Sequence, residues 1–252
     1  MCIRDRSKIG PYPFEKLNLL HKDIKPSKEV INLSIGEPKL NADSKVLDIL
    51  NKETNSFSNY PPMNAVPELS EAYRQYLKNH FGIENVAEDE VCLVAGTREG
   101  TFSIIQALFN KENVKEKPYV VMPNPFYQIY GGATTLAGGE AKFLDCPEED
   151  NFQPDLDSLK SEDWQKCQIL VLCSPNNPTG SVLSLSKLKD ILNLADKYDF
   201  YVVSDECYVD LYTSEKSCPS ILQASSDRSD RLVTLHSLSK SCLLYTSDAA
   251  DE

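Results

Sequence analysis

The chain has 252 residues, 41% of them apolar and 25% charged, with 38 acidic against 26 basic side chains and a formal charge of −12. That is enough apolar sequence to bury a sizeable core, in one large domain or a domain plus a fragment. The acidic balance argues against nucleic acid and anionic membranes as partners. No run approaches the ~18 apolar residues of a membrane span, and no signal peptide precedes Ser7. A cytoplasmic protein is therefore expected.

In chain order, the stretch 7–43 reads as an extended arm feeding a second, smaller domain. A helix follows over 67–81, with Leu69, Tyr73, Tyr76 and Leu77 at helical spacing and Pro67 suited to its first turn. Strand-like apolar runs occupy 91–95, 119–122, 141–144, 169–173, 201–204 and 232–236, several of them β-branched and suited to burial on both faces. Between the first two runs, Phe102, Ile105 and Leu108 mark a helix. Another is expected over 185–199 from Leu185, Leu188, Ile191, Leu192 and Ala195. The alternation predicts an α/β three-layer sandwich around a mostly parallel sheet. There is no internal repeat or low-complexity segment.

Outside the two end segments the cysteines are Cys92, Cys146, Cys167, Cys173, Cys207 and Cys218, with no C-x-x-C spacing, so neither zinc nor a redox motif is indicated. Cys92 and Cys173 lie in apolar runs and are expected to be small buried hydrophobes. His21, His80 and His236 are isolated from one another. His236 borders a strand end, where a packed or hydrogen-bonded role is expected.

Three polar clusters sit where apolar runs stop: Asn176-Asn177-Pro178-Thr179-Gly180, Asp205-Glu206-Cys207-Tyr208 and Ser237-Leu238-Ser239-Lys240. In an open α/β sheet, ligands bind outside the carboxyl ends of the strands, so the three predict one site. A lysine, a carboxylate, an asparagine and a tyrosine delivered there suit pyridoxal phosphate. The amine can condense with the aldehyde, the carboxylate can pair with the protonated pyridine nitrogen, and the amide and phenol can hydrogen-bond the ring phenolate. Asp205 ends an apolar run, where an unpaired carboxylate is costly and a cationic partner relieves the cost.

With Leu33-Ser34-Ile35-Gly36-Glu37-Pro38, Tyr60-Pro61-Pro62 before Pro67-Glu68-Leu69, Gly96-Thr97-Arg98-Glu99-Gly100 and Pro125-Phe126-Tyr127-Gln128-Ile129-Tyr130, these clusters form an ordered series. The series resembles the class I aminotransferases, pyridoxal phosphate enzymes of fold type I. The resemblance implies that Lys240 is the catalytic lysine and that Gly96, Thr97 and Arg98 open a helix whose N-terminus holds the cofactor phosphate. It implies that Tyr127 stacks on the ring, that Asp205 pairs with the ring nitrogen, and that Asn177 and Tyr208 share the phenolate. Ser237 would donate to the phosphate. Tyr60 would reach the phosphate in the partner subunit of a homodimer, and Gly36 would line the substrate site. Ala65-Val66 stands where the family usually has a glycine before Pro-Glu-Leu.

The substrates implied are an amino acid and a 2-oxo acid. The Tyr60–Asn64 and Pro123–Ala133 segments look most like the branch that acts on succinyldiaminopimelate in lysine biosynthesis. Another class I aminotransferase, or a pyridoxal phosphate carbon–sulfur lyase, would use the same constellation. The aminotransferase-like sensor domain of a transcription regulator would need a DNA-binding domain upstream.

Residues 242–252 can be encoded by a transposase-type sequencing adapter, and Met1-Cys2-Ile3-Arg4-Asp5 by the reverse complement of its repeated end. Inverted copies point to a library artefact over 1–6 and 242–252. The expected layout is an arm and part of a small domain over 7–45 and an incomplete large cofactor-binding domain over 46–241. By the resemblance, the arginine that pairs with the phosphate and the one that grips the substrate carboxylate would both follow Lys240. A chain without them is expected to be inactive.

Overall fold

The computed structural model describes residues 13–31, 40–58, 66–110, 112, 117–211, 218–225 and 230–244. Gly36, Tyr60, Ala65 and the first and last stretches of the chain lie outside the described residues. The helices in order are α1 (Pro13–His21), α2 (Ser44–Lys52), α3 (Pro67–Phe81), α4 (Thr97–Leu108), α5 (Gln128–Ala137), α6 (Ser161–Trp164), α7 (Leu185–Tyr198) and α8 (Leu238–Ser241). The strands are β1 (Tyr119–Asn124), β2 (Glu140–Asp145), β3 (Cys167–Cys173), β4 (Tyr201–Asp205) and β5 (Leu232–Leu235), in the spatial order β2-β1-β3-β4-β5. All four pairings are parallel, Val171 lying opposite Val203 and Cys173 opposite Asp205.

Continuous apolar runs suit this sheet because it is covered on both faces. Side chains alternate across a strand, so Val120 and Met122 of β1, Ile169 and Val171 of β3, and Val203 of β4 enter one core. They meet Ile105 of α4 with Tyr130 and Ala133 of α5 there. The intervening Val121, Leu170, Leu172 and Val202 enter the opposite core, against Leu188, Ile191 and Ala195 of α7 and Phe200. Each fully buried aliphatic side chain is worth roughly 1.5–3 kcal/mol. Together these two layers fix the sheet between its helices.

The helix ends follow local chemistry. Ser184 caps α7 by accepting from the Lys187 N–H at 3.2 Å, and Pro67 opens α3 where its missing N–H costs nothing. Gly82 closes α3 with φ +70°, a left-handed turn that suits glycine. Leu77 and Phe81 of α3 pack with Val209 and Cys218 in a third, smaller cluster.

Residues 91–95 are not a strand. The run has strand-like residues, but a ladder needs a neighbour to accept its N–H and C=O groups, and none of the described residues runs beside it. Leu93 is 54% exposed, and Cys92 is exposed rather than a buried hydrophobe. Cys173 is buried as expected. Among the described residues no helix is long and apolar enough to cross a membrane, and no group of His, Cys, Asp and Glu side chains could hold a metal.

Candidate active site

The carboxyl ends of β3, β4 and β5 deliver the site. Asp205 is the last residue of β4, and it is buried because β3 and β5 flank it on both sides. Its Oδ2 accepts from the Tyr130 hydroxyl at 2.8 Å and its Oδ1 from the Cys207 N–H at 3.3 Å. Burial pushes the Asp205 carboxyl above the ordinary carboxylate range, against the hydrogen bonds from Tyr130 and Cys207, which pull it down. The Tyr130 hydroxyl and the Cys207 thiol are both held well above their usual values, first by burial and then by the Asp205 charge, so each keeps its proton.

After β3, the chain turns through Asn176 to Ser181. Asn176 Oδ1 accepts from the Thr179 hydroxyl at 3.1 Å, Gly180 N–H returns to the Asn176 carbonyl at 2.8 Å, and Gly180 takes φ +72°. This compact turn presents Asn177, whose side-chain amide donates to the Tyr208 hydroxyl at 3.4 Å. After β5, Ser237 caps the short α8 by accepting from the Ser239 N–H at 3.1 Å, with its hydroxyl 2.7 Å from that of Ser239. That turn carries Lys240 inward to 9% exposure, its Nζ 5.9 Å from the centre of the Tyr208 ring. The Lys240 charge also pulls the Cys207 thiol down, against the larger effect of burial.

The opposite wall comes from α4 and α5. Gly96 precedes Thr97, the first residue of α4. At Gly100, one turn on, a Cβ would stand 3.4 Å from Leu235 Cδ2 and 3.1 Å from Val94 Cγ2, so the first turn lies against the end of β5. Arg98 Nε donates to the Tyr127 hydroxyl at 2.7 Å, with the guanidinium 5.8 Å from the ring centre. Tyr127 meets Tyr130 edge to face at 5.8 Å.

Arg98 and Tyr127 are thus linked through Tyr130 to Asp205, and Lys240 and Asn177 both meet Tyr208, the two groups lying at adjacent strand ends. Gly96, Thr97 and Ser237 flank them on α4 and after β5. Tyr130 and Cys207 lie within the Pro125–Tyr130 and Asp205–Tyr208 motifs, where nothing in the sequence alone assigns them a role. Tyr130 follows Tyr127 by three residues at the start of α5, a spacing that puts both on one face and could have marked it.

A family model for aminotransferase class I and II matches residues 28–246, and the chain belongs to that family. It is similar to the LL-diaminopimelate aminotransferase of Aquifex aeolicus, with 30% identity over 240 residues, 94% of this chain and 60% of that protein. LL-diaminopimelate aminotransferase 2 of Nostoc sp. is 29% identical over 238 residues, 93% of this chain and 60% of that one. The crystal structure of an aminotransferase from Neisseria meningitidis superposes with a TM-score of 0.88 at 37% identity, over 95% of this chain and 62% of that one. The chain therefore spans about 60% of the length of the relatives it matches.

The family generally uses pyridoxal phosphate, and the donor set fits that group. A buried carboxyl raised by its surroundings suits a cationic ring nitrogen. A lysine drawn into the site suits an aldehyde, and the first-turn N–H groups of the twelve-residue α4 suit a phosphate.

Proposed function

We propose that the full-length protein is a pyridoxal phosphate-dependent aminotransferase that moves an amino group between an amino acid and a 2-oxo acid, with Lys240 as its catalytic residue. The observation that carries this reading is that buried Lys240 and buried Asp205 are delivered from the carboxyl ends of the adjacent strands β5 and β4. Pyridoxal phosphate supplies the aldehyde and the electron-withdrawing ring that the reaction needs.

This chain's residues hold and steer that chemistry. Asp205, kept in place by Tyr130, would take the ring nitrogen. Tyr208 and Asn177 would take the phenolate oxygen, and Tyr127, fixed by Arg98, would stack on the ring. Gly96, Thr97 and Ser237 would hold the phosphate; the roles of Tyr60 toward a partner subunit's phosphate and of Gly36 toward the substrate rest on the resemblance, both lying outside the described residues. The Lys240 amine moves a proton at the substrate α-carbon, a role worth about 10²–10⁴ in rate for a positioned acid–base group.

For the substrate we favour succinyldiaminopimelate chemistry in lysine biosynthesis, with glutamate as amino donor. Support for that branch comes from the sequence of the segments 60–64 and 123–133, and relatives named for LL-diaminopimelate support a place in lysine biosynthesis. The test is product analysis of the full-length protein given glutamate and candidate 2-oxo acids. Transfer of the amine with formation of 2-oxoglutarate supports the reading. Release of ammonia from a sulfur amino acid would identify a carbon–sulfur lyase instead.

A further inference from the structure

Behind the lysine site the same two strand ends carry a second buried polar set. Glu206 directly follows β4 and His236 directly follows β5, with side chains 1% and 9% exposed. His236 Nε2 lies 3.2 Å from Glu206 Oε2, and Nδ1 lies 2.6 Å from the Tyr73 hydroxyl on α3. The other glutamate oxygen accepts from the Ser204 hydroxyl at 3.0 Å and the Ile221 N–H at 2.9 Å. Rings of Tyr73, Tyr76 and Phe81 enclose the imidazole at 5.7, 5.9 and 6.0 Å. Apart from this close approach, neither Glu206 Oε2 nor His236 Nε2 has a hydrogen-bond partner among the described residues.

Burying such a set is costly, and apolar residues of equal volume often serve stability as well or better. Its placement indicates what it does instead. Successive side chains leave a strand on opposite sides, so Asp205 faces the lysine site while Glu206 faces this set. In the same way His236 faces the set, while Ser237 begins the turn that carries Lys240. The Glu206 N–H also donates to the Leu235 carbonyl at 2.9 Å, which ties the two exits through the backbone.

We propose that His236 is a positioning residue for the lysine site: by bridging Tyr73 on α3 and Glu206 after β4, it fixes the two strand exits from which Asp205 and Lys240 reach one space. The proposal rests on the cofactor reading above. His236→Phe keeps a ring among Tyr73, Tyr76 and Phe81 and removes both nitrogen contacts, whereas Tyr73→Phe removes one hydroxyl.

Pyridoxal phosphate is titrated into the cofactor-free full-length protein and both variants, with the visible absorption of lysine-bound cofactor giving the dissociation constant and a thermal scan giving the apo midpoint. The dissociation constant is expected to rise about tenfold in His236→Phe and about threefold in Tyr73→Phe, at a temperature where both apo proteins are folded. A purely structural role lowers the midpoint and leaves both constants within about twofold of wild type, and that result overturns the proposal. Should His236→Phe not fold, Tyr73→Phe decides by the same criterion. Failure of the wild-type protein to bind pyridoxal phosphate would overturn the cofactor reading itself, and this proposal with it.

Discussion

The Tyr130 hydroxyl donates to Asp205 Oδ2 across 2.8 Å, with both side chains sealed from solvent. Burial raises the Asp205 carboxyl in the folded protein and this bond lowers it. Because the folded value lies above the unfolded one, the group's contribution to stability is complete at acid pH and is lost as pH rises through the shifted value. Asp205→Asn should therefore flatten the pH dependence of unfolding in the cofactor-free protein as pH rises above the ordinary carboxylate range. Tyr130→Phe should lower stability at neutral pH by about 1.5–3 kcal/mol and move the loss to higher pH. Denaturant unfolding at several pH values measures both, and identical profiles for wild type and Asp205→Asn would contradict the assignment.

The turn that presents Asn177 depends on Gly180 at φ +72°, where a Cβ would meet no atom within 4 Å. Gly180→Ala thus adds backbone strain without a clash, at a cost of about 1–2 kcal/mol. Chemical denaturation should show that loss, with a matching weakening of cofactor binding if the turn shifts Asn177.

The cap of α7 is separable from the site. Ser184→Ala removes the acceptor for the Lys187 N–H and should cost about 1 kcal/mol in unfolding experiments. Cofactor affinity should not change, since α7 packs on the sheet face through Leu188, Ile191 and Ala195.

Deep in that face, Ile191 is wholly buried between α7 and the sheet. Ile191→Ala should destabilise the protein by about 2–5 kcal/mol through lost transfer energy and the cavity left behind. A value under about 1 kcal/mol in denaturant titration would mean that the layer is looser than its burial indicates.

Much of this was readable in the chain. The run over 169–173 is apolar at every position because β3 lies at the centre of a sheet covered on both faces, and α3 runs from Pro67 to Phe81 as the spacing predicts. Asp205 stood out because a charge at the end of a buried run needs a partner. Residues 91–95 misled because strand-like composition says nothing of whether a neighbour is present to complete a ladder. Tyr130 went unassigned because its partner Asp205 is 75 positions away. The His236 bridge to Tyr73 spans 163 positions, and no local pattern encodes such a contact.

The central claim is that Lys240 bonds the cofactor, and reductive trapping tests it most directly. The full-length protein is loaded with pyridoxal phosphate, reduced with borohydride, digested and mapped by mass spectrometry, with Lys240→Ala as control. The account predicts the reduced adduct on Lys240, its absence from Lys240→Ala, and loss of about 10²–10⁴ or more of the transamination rate in that variant. An adduct on another lysine, or none in the wild-type protein, would contradict it.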